Sequence, residues 1–337
     1  MNKNKGLVAV YGATGHTGAF VVAELQRRGL PVVAVGRDVS RVPAGVPTRV
    51  APLDDAAALD AAFADCAVVI NCAGPFLDTA SPIIEAALRV GSAYLDVTAE
   101  QASALETFER YDAQARARDV AIIPAAGFYG GLADILASAL VGQDVIEEMT
   151  VAIALDHWWP TKGTRITGER NRVPRVVIER GDRVPMTVPG TTMEWTFDAP
   201  HGVQAMEEMP FSEIITISHH LQVQNLHAYL NASSLGEVRA SATSQPVPVD
   251  AHGRSAQTFA VEVVAVDSAG ERRAVARGQD IYAVTAPLVV EAAARLLQPD
   301  FVRSGALSLG EAFDAKQFLH AIGPEHLTFE LSHEAVH

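Results

Sequence analysis

A chain carrying the run Leu7–Gly18, Leu-Val-Ala-Val-Tyr-Gly-Ala-Thr-Gly-His-Thr-Gly, has few folds open to it. The apolar stretch Leu7–Val10 reads as a buried strand, the three glycines Gly12, Gly15 and Gly18 as a tight turn, and Thr17–Arg28, closed by Gly29, as an apolar helix. Strand, glycine turn and helix in that order make the diphosphate-binding corner of a dinucleotide fold. Glycine is required because the backbone must turn sharply and approach the pyrophosphate, while free N–H groups at the helix start face the anion. Gly12, Thr14, Gly15, His16, Thr17 and Gly18 are therefore expected against the cofactor, His16 through its backbone.

The next stretches repeat the strand–helix alternation. Strands are predicted over Pro31–Val35, Thr48–Pro52, Ala67–Cys72, Ala93–Val97 and Val120–Pro124, with helices over Asp55–Ala64, Ser81–Val90 and Glu100–Arg118. Asp54 is expected to cap the first of these helices. Six strands alternating with helices specify a doubly wound parallel sheet. The end of the second strand decides the cofactor. Val35-Gly36-Arg37-Asp38 leaves room at Gly36 and offers the Arg37 guanidinium, with Arg41 as a second contact, to a 2′-phosphate. Asp38 is the opposing sign, since an acidic residue there holds the ribose hydroxyl of NAD. NADP(H) is favoured.

After Gly127 the pattern changes. A helix over Gly131–Leu140 precedes strands predicted at Met149–Asp156, Arg175–Glu179, Met193–Phe197, Glu213–Ser218, Gln257–Val266 and Arg272–Gln279. Glu262 and Arg273 are interleaved in the last pair, and Asp267-Ser268-Ala269-Gly270 reads as its hairpin turn. Apolar helices at Ala283–Leu297 and Leu309–His320 are expected to return to the nucleotide-binding part. The fold class is thus α/β, a doubly wound parallel sheet with an inserted α+β domain of mixed or antiparallel sheet. The expected divisions are 1–128, 129–280 and 281–325.

Composition removes other classes. With 49% hydrophobic and 20% charged residues the chain is an ordinary globular one, and 337 residues suffice for two cores. A net charge of −14 without a dense Lys/Arg stripe argues against nucleic acid or an anionic membrane as partner. Cys66 and Cys72 have no metal-ligand spacing and read as reduced thiols; no metal site is expected. The start Met1-Asn2-Lys3-Asn4-Lys5 has the charge of a secretory leader, but the apolar run after it is too short, so a cytoplasmic location is expected. A homodimer through the second sheet is also expected, because such a sheet needs its other face or edge covered.

Four stretches together resemble the saccharopine dehydrogenase-like (saccharopine reductase) oxidoreductases. They are Gly12–Gly18, Asn71-Cys-Ala-Gly-Pro-Phe76, Gly91-Ser-Ala-Tyr-Leu-Asp-Val-Thr-Ala-Glu100, and Gly127-Phe128 with Asp134. The tail Gly278–Ala286, the Gly305-Ala-Leu segment and Ala312-Phe313 are similar too. The resemblance implies an NADP-type Rossmann domain, a mixed-sheet second domain and a nicotinamide between them. The chain departs from the family pattern at Thr98-Ala99-Glu100, where Thr-Gly-Glu is frequent, and at Ala126-Gly127-Phe128-Tyr129-Gly130, where Cys-Gly-Phe-Asp-Ser is frequent. The amino-acid substrate of the founding enzymes therefore does not carry over. A short-chain dehydrogenase mechanism is excluded, because no tyrosine is followed by lysine four residues on.

Ligands of open α/β sheets lie beyond the carboxyl ends of the strands. Ala73, Gly74, Pro75 and Phe76 are expected beside the ribose and nicotinamide, with Asp96, Thr98 and Glu100 one strand over and Asp54 near the adenine. Asp96 and Tyr129 are the candidate catalytic residues, and either Asp96 or Glu100 is equally readable as a cap. His219 and His220 are expected at a strand end, pointing to opposite faces, and Trp158 and Trp159 are candidate walls of an apolar pocket. The expected activity is NADPH-dependent reduction of an imine, enoyl or carbonyl group in a small organic substrate. The alternative is a protein that binds NADP(H) as a redox sensor without turning it over.

Overall fold

The computed structural model describes residues 6–142 and 144–335; the Met1–Lys5 start lies outside them. The first sheet is made of β1 (Val8–Tyr11), β2 (Val32–Gly36), β3 (Thr48–Val50), β4 (Val68–Asn71), β5 (Ala93–Asp96) and β6 (Ala121–Ile123). Its helices are α1 (His16–Arg27), α2 (Ala56–Phe63), α3 (Phe76–Val90) and α4 (Gln101–Arg116). The strand order is β3-β2-β1-β4-β5-β6, all parallel, so the order reverses between β1 and β4 and opens the ligand crevice there. Val8–Val10, Val32–Val35 and Val68–Ile70 are buried, as continuous apolar runs covered on both faces must be.

Two expectations fail in this half, both at helix starts. Asp55, not Asp54, caps α2: its side chain accepts from the Ala58 N–H, and Asp54 stays exposed in the turn before it. The helix predicted to begin at Ser81 begins at Phe76, because Pro75 supplies the extended N-cap backbone and the helix runs on through Pro82 to Gly91, whose φ of +75° ends it.

The chain continues through α5 (Gly131–Val141), β7 (Ile146–Leu155), α6 (Lys162–Arg170), β8 (Val176–Glu179), β9 (Asp182–Pro185), β10 (Thr192–Thr196) and β11 (Val203–Glu208). It goes on with α7 (Glu213–His220), β12 (Val223–Asn231), α8 (Ala232–Arg239), β13 (Thr258–Asp267) and β14 (Gly270–Gln279). The last elements are α9 (Ile281–Leu296), β15 (Gly305–Ala306), α10 (Leu309–Ala312), α11 (Ala315–Ile322) and β16 (Leu327–Ala335).

The second sheet runs β10-β11-β12-β7-β13-β14-β16, with β8 paired to β12 and β9 to β8. It is mixed, not antiparallel throughout, because β12 lies parallel to β7. β13 and β14 pair from Thr258↔Gln279 to Asp267↔Gly270, which leaves Ser268-Ala269 as the two-residue turn. Glu262 pairs with Arg273 and accepts from Trp195 Nε1 at 2.7 Å. Met193, Trp195, Phe197 and Met206 pack on Ala152, Ala154 and Ala260 as a small apolar cluster on this sheet.

The predicted strand Glu213–Ser218 is the helix α7. Its β-branched run favours a strand locally, yet Ile214 and Ile217 pack into the core beside α5 as one face of a helix. Leu309–His320 is two helices, because Phe313 is extended and the Asp314 side chain caps α11 afresh on the Gln317 N–H.

The return to the first sheet is real. β15 adds a seventh parallel strand beside β6, and α9 packs along α1, where Arg28 meets Glu291 at 2.6 Å. β16 then leaves again to close the edge of the second sheet. No helix among the described residues is long and apolar enough to cross a membrane.

Candidate active site

The glycine turn is built as the anion argument requires. Gly12 has φ +81°, and a Cβ on it would lie 2.9 Å from Ala73. A Cβ on Gly18 would lie 2.2 Å from the Gly12 carbonyl oxygen. Gly15 caps α1 without a side chain, and the first turn of α1 holds no acidic residue, so its N–H groups are left for an anion. Thr14 Oγ1 donates to the Asp38 carbonyl at 3.5 Å, joining this turn to the end of β2. The His16 ring points away from the turn, edge-on to Phe20 and Tyr282, and burial lowers its pKa.

At the end of β2 the Asp38 carboxylate folds back on its own turn and accepts from the Ser40 N–H at 2.9 Å. That bond holds its pKa below the usual carboxylate range. Arg37 and Arg41 are exposed and form no ion pair among the described residues.

Beyond the carboxyl ends of β1, β4 and β5 lies a cavity of about 660 Å³, closed on the far side by the second half of the chain. Thr17, Gly74 and Phe76 line it from the first half, Val97, Ala99 and Glu100 from the β5–α4 turn, and Phe128, Tyr129, Trp158 and Phe211 from beyond. Helix α6 covers it; Thr167 Oγ1 would be 3.1 Å from a Cβ on Gly74. Tyr282 anchors that helix, since its hydroxyl oxygen lies 2.9 Å from Thr164 Oγ1 and accepts from Trp158 Nε1 at 3.2 Å.

Of the two carboxylates proposed by sequence for the reacting end, the structure brings Glu100 to the cavity and holds Asp96 away from it. Asp96 is fully buried and accepts from the Ala125 N–H at 2.8 Å, the Thr98 N–H at 3.0 Å and the Tyr94 hydroxyl at 2.9 Å. Burial still pushes its pKa up, to about 6, against those three donors. Through Tyr94 it joins a chain of bonds to Asn71 and Thr79, and Thr79 in turn donates to the Ala73 carbonyl at 2.6 Å. Its place is therefore to brace the turn that carries Ala73, Gly74 and Pro75.

Thr98 and Ala73 also lie outside the cavity lining. Thr98 is buried outside the cavity lining with its Oγ1 accepting from the Glu100 N–H, and Ala73 packs on Gly12 with its N–H given to Asn71.

Glu100 has one oxygen occupied and one free. Oε2 accepts from the Phe76 N–H at 2.7 Å, and Oε1 is buried with no hydrogen-bond partner. Burial raises its pKa to about 7, only partly offset by the Phe76 N–H. Tyr129 is enclosed by Phe128, Trp158 and Phe211, with ring centroids 4.9, 5.7 and 4.2 Å away, and its hydroxyl also lacks a partner. Burial holds that phenol well above its ordinary pKa, so it stays protonated. Trp158 is a cavity wall, whereas Trp159 stacks on His157 outside the lining.

The histidine pair is not at a strand end. Both residues sit in the last turn of α7: His220 Nε2 lies 2.7 Å from the buried Asp134 Oδ1, and His219 stacks on Phe108 at 3.9 Å. Neither lines the cavity. Cys66 and Cys72 are free, burial raises both thiols, and no metal-ligating cluster occurs among the described residues.

Sequence reasoning misses Arg175 and Phe211, because each reaches the cavity from a segment without a motif, and Tyr282, whose Gly278–Ala286 stretch resembles the family but marks no single residue.

A family model described as NAD(P)H-binding matches residues 12–106. A saccharopine dehydrogenase-like oxidoreductase of Bos taurus is 27% identical over 145 residues, covering 36% of this chain and 34% of that protein. A lipid droplet localized protein of Caenorhabditis elegans is 28% identical over 139 residues, covering 36% and 33%. The alignments thus span about a third of each of these relatives.

Among solved structures, apo saccharopine dehydrogenase (L-Glu forming) from Saccharomyces cerevisiae superposes with a TM-score of 0.67 at 10% identity, over 97% of this chain and 100% of that one. An engineered D-amino acid dehydrogenase bound to NADP+ superposes with a TM-score of 0.50 at 15% identity, over 96% and 97%. The chain thus shares sequence with the saccharopine dehydrogenase-like oxidoreductases over about a third of its length, and the saccharopine dehydrogenase fold over nearly all of it.

Proposed function

We propose that this protein is an NADPH-dependent oxidoreductase that reduces a C=N, C=C or C=O group of a small organic substrate. The observation that carries the reading is one cavity bordered by the Gly74–Phe76 turn and lined by Glu100 and Tyr129, each of which keeps a buried polar atom without a partner. An unsatisfied buried polar atom costs stability, so two of them on residues that line one cavity favour a ligand over bare cofactor sensing.

The nicotinamide supplies the hydride when bound. The chain's own residues do the rest. The turn at Gly12, Gly15 and Gly18 and the start of α1 hold the diphosphate. Arg37 and Arg41 hold the 2′-phosphate, a choice supported by the engagement of Asp38 with Ser40. Phe128, Trp158 and Phe211 keep water from the reacting face.

Tyr129 donates a hydrogen bond to the heteroatom that gains charge, and Glu100, with a pKa of about 7, delivers the proton. The test is loss of NADPH absorbance over a panel of enoyl thioesters, ketones and amine–carbonyl mixtures. Turnover in one class names the reaction. Tight NADPH binding without turnover in any class would move the sensor reading forward.

A further inference from the structure

The protein carries a net charge of −14, yet the cavity is lined by four arginines, Arg165, Arg172, Arg175 and Arg239, against two carboxylates, Glu100 and Glu169. Cations gathered in a cleft of an acidic protein need a reason, because the surrounding field does not require them.

Three of the four have no carboxylate partner among the described residues. Arg165 is held by the Ala240 and Thr243 carbonyls, Arg172 is exposed, and Arg175 gives one Nη1 bond to the Pro210 carbonyl at 2.7 Å. Only Arg239 is paired, with Glu207 at 3.0 Å. Arg175 is the best placed. It is half-buried just before β8, its guanidinium lies 4.8 Å from the Phe211 ring centroid, and its Nε and Nη2 meet no acceptor among the described residues. Burial, with the like charge of Arg239, pulls its pKa down against the nearby Glu213 carboxylate, so an anion hydrogen-bonded to its free N–H groups would be bound firmly. The wall beside it is apolar, made by Met209, Phe211, Leu235 and Val238.

We infer that the cavity takes an amphipathic anion: a reducible group facing Glu100 and Tyr129, an apolar body along Phe211 and Leu235, and a carboxylate or phosphate on Arg175. This rests on the reading of the cavity as a substrate site. It deepens that reading by fixing the charge and polarity of the molecule. Arg172 and Arg165 draw the anion in, and Arg175 holds it.

The experiment is calorimetric binding of octanoate, octyl phosphate, octan-1-ol and octylamine to the NADPH-loaded protein, with quenching of tryptophan fluorescence as a second readout. Octanoate or octyl phosphate should bind about tenfold to a hundredfold tighter than octanol, the range a charge-assisted bond supplies, and octylamine should bind weakest. The tighter of the two anions names the head group.

Arg175→Gln should remove that preference with NADPH affinity unchanged, and Arg175→Lys should restore part of it. If Arg175→Gln does not fold, Arg172→Gln, at an exposed and unpartnered position, should reduce the preference by a smaller factor. Octanol bound as tightly as octanoate, an unchanged preference in the variant that folds, or no saturable binding of either anion would overturn the inference.

The two readings fail separately. Arg175-dependent octanoate binding without turnover of any substrate class would sink the reductase and leave the anion site. Turnover confined to neutral substrates, with kcat/KM equal in Arg175→Gln, would do the reverse.

Discussion

The glycine turn at the proposed diphosphate end and the cavity at the reacting end are built from different material. At the diphosphate end the groups left for an anion are backbone N–H groups, and the side chains matter mainly by being absent: a Cβ on Gly18 would sit 2.2 Å from the Gly12 carbonyl. At the reacting end the contacts are side chains, brought from the β5–α4 turn, residues 128–129, the Trp158 segment, Arg175 and Phe211. A backbone site writes itself into a short stretch of glycine. A side-chain site is written in single residues scattered over more than a hundred positions, each with an ordinary structural use. The two ends should therefore respond differently to mutation and to pH.

The largest effect is expected at the reacting end. Glu100→Gln keeps an acceptor for the Phe76 N–H but loses the proton, so kcat/KM should fall about 10²- to 10⁴-fold with the NADPH dissociation constant unchanged. Equal losses in both would make Glu100 part of the cofactor cradle and erase the contrast. In the wild type, kcat/KM should be level below pH 7 and decline above it, because Glu100 acts in its protonated form with a pKa of about 7.

A second effect sharpens the contrast through stability. Glu213 is fully buried beneath the same region, and burial raises its pKa to about 7, outweighing the Phe211 N–H bond to its Oε1. A carboxyl raised in the folded state binds its proton more tightly there than when unfolded. Its cost is absent below the ordinary carboxyl range, grows as pH rises toward 7 and is complete above it. Unfolding free energy from urea melts should therefore drop from pH 5.5 to pH 8, with Glu213 contributing on the order of 2 kcal/mol over that range. His220, raised because Asp134 outweighs its burial, acts in the same direction near neutrality. Glu213→Gln should make the profile less steep, with Asp96, Glu100 and His220 supplying the rest, and a profile as steep as wild type would place the titration elsewhere.

At the diphosphate end the expected effect is a shift in cofactor choice. Arg37→Ala should weaken NADPH by about tenfold to a hundredfold and leave NADH nearly unchanged; equal losses would refute the 2′-phosphate assignment. The smallest effect concerns α2. Asp55→Ala should cost about 1 kcal/mol in a thermal melt and Asp54→Ala almost nothing, since only Asp55 accepts a helix N–H.

What was readable in the sequence follows the same division. β1, β2, β4, β5 and β6 are legible to within a residue or two because they are apolar runs covered on both faces. The Asp267–Gly270 hairpin is legible because its turn residues are local. Glu213–Ser218 was misread because Ile-Ile-Thr-Ile favours a strand, and only packing against α5 makes it a helix. Helices α6 and α8 are mostly polar and carry little periodic signal, so the cover of the cavity was invisible.

Asp96 and Glu100 lie four residues apart in one motif. Nothing in their order tells that one is tied by three donors while the other keeps an oxygen free.

The most direct test of the central claim is consumption of NADPH by the wild-type protein over the panel of enoyl, carbonyl and imine-forming substrates, run from pH 6 to pH 9. The account predicts turnover in one class, NADPH preferred over NADH, and a rate that falls above pH 7. Saturable NADPH binding with no turnover anywhere in the panel, or turnover that rises with pH through 7, would contradict it.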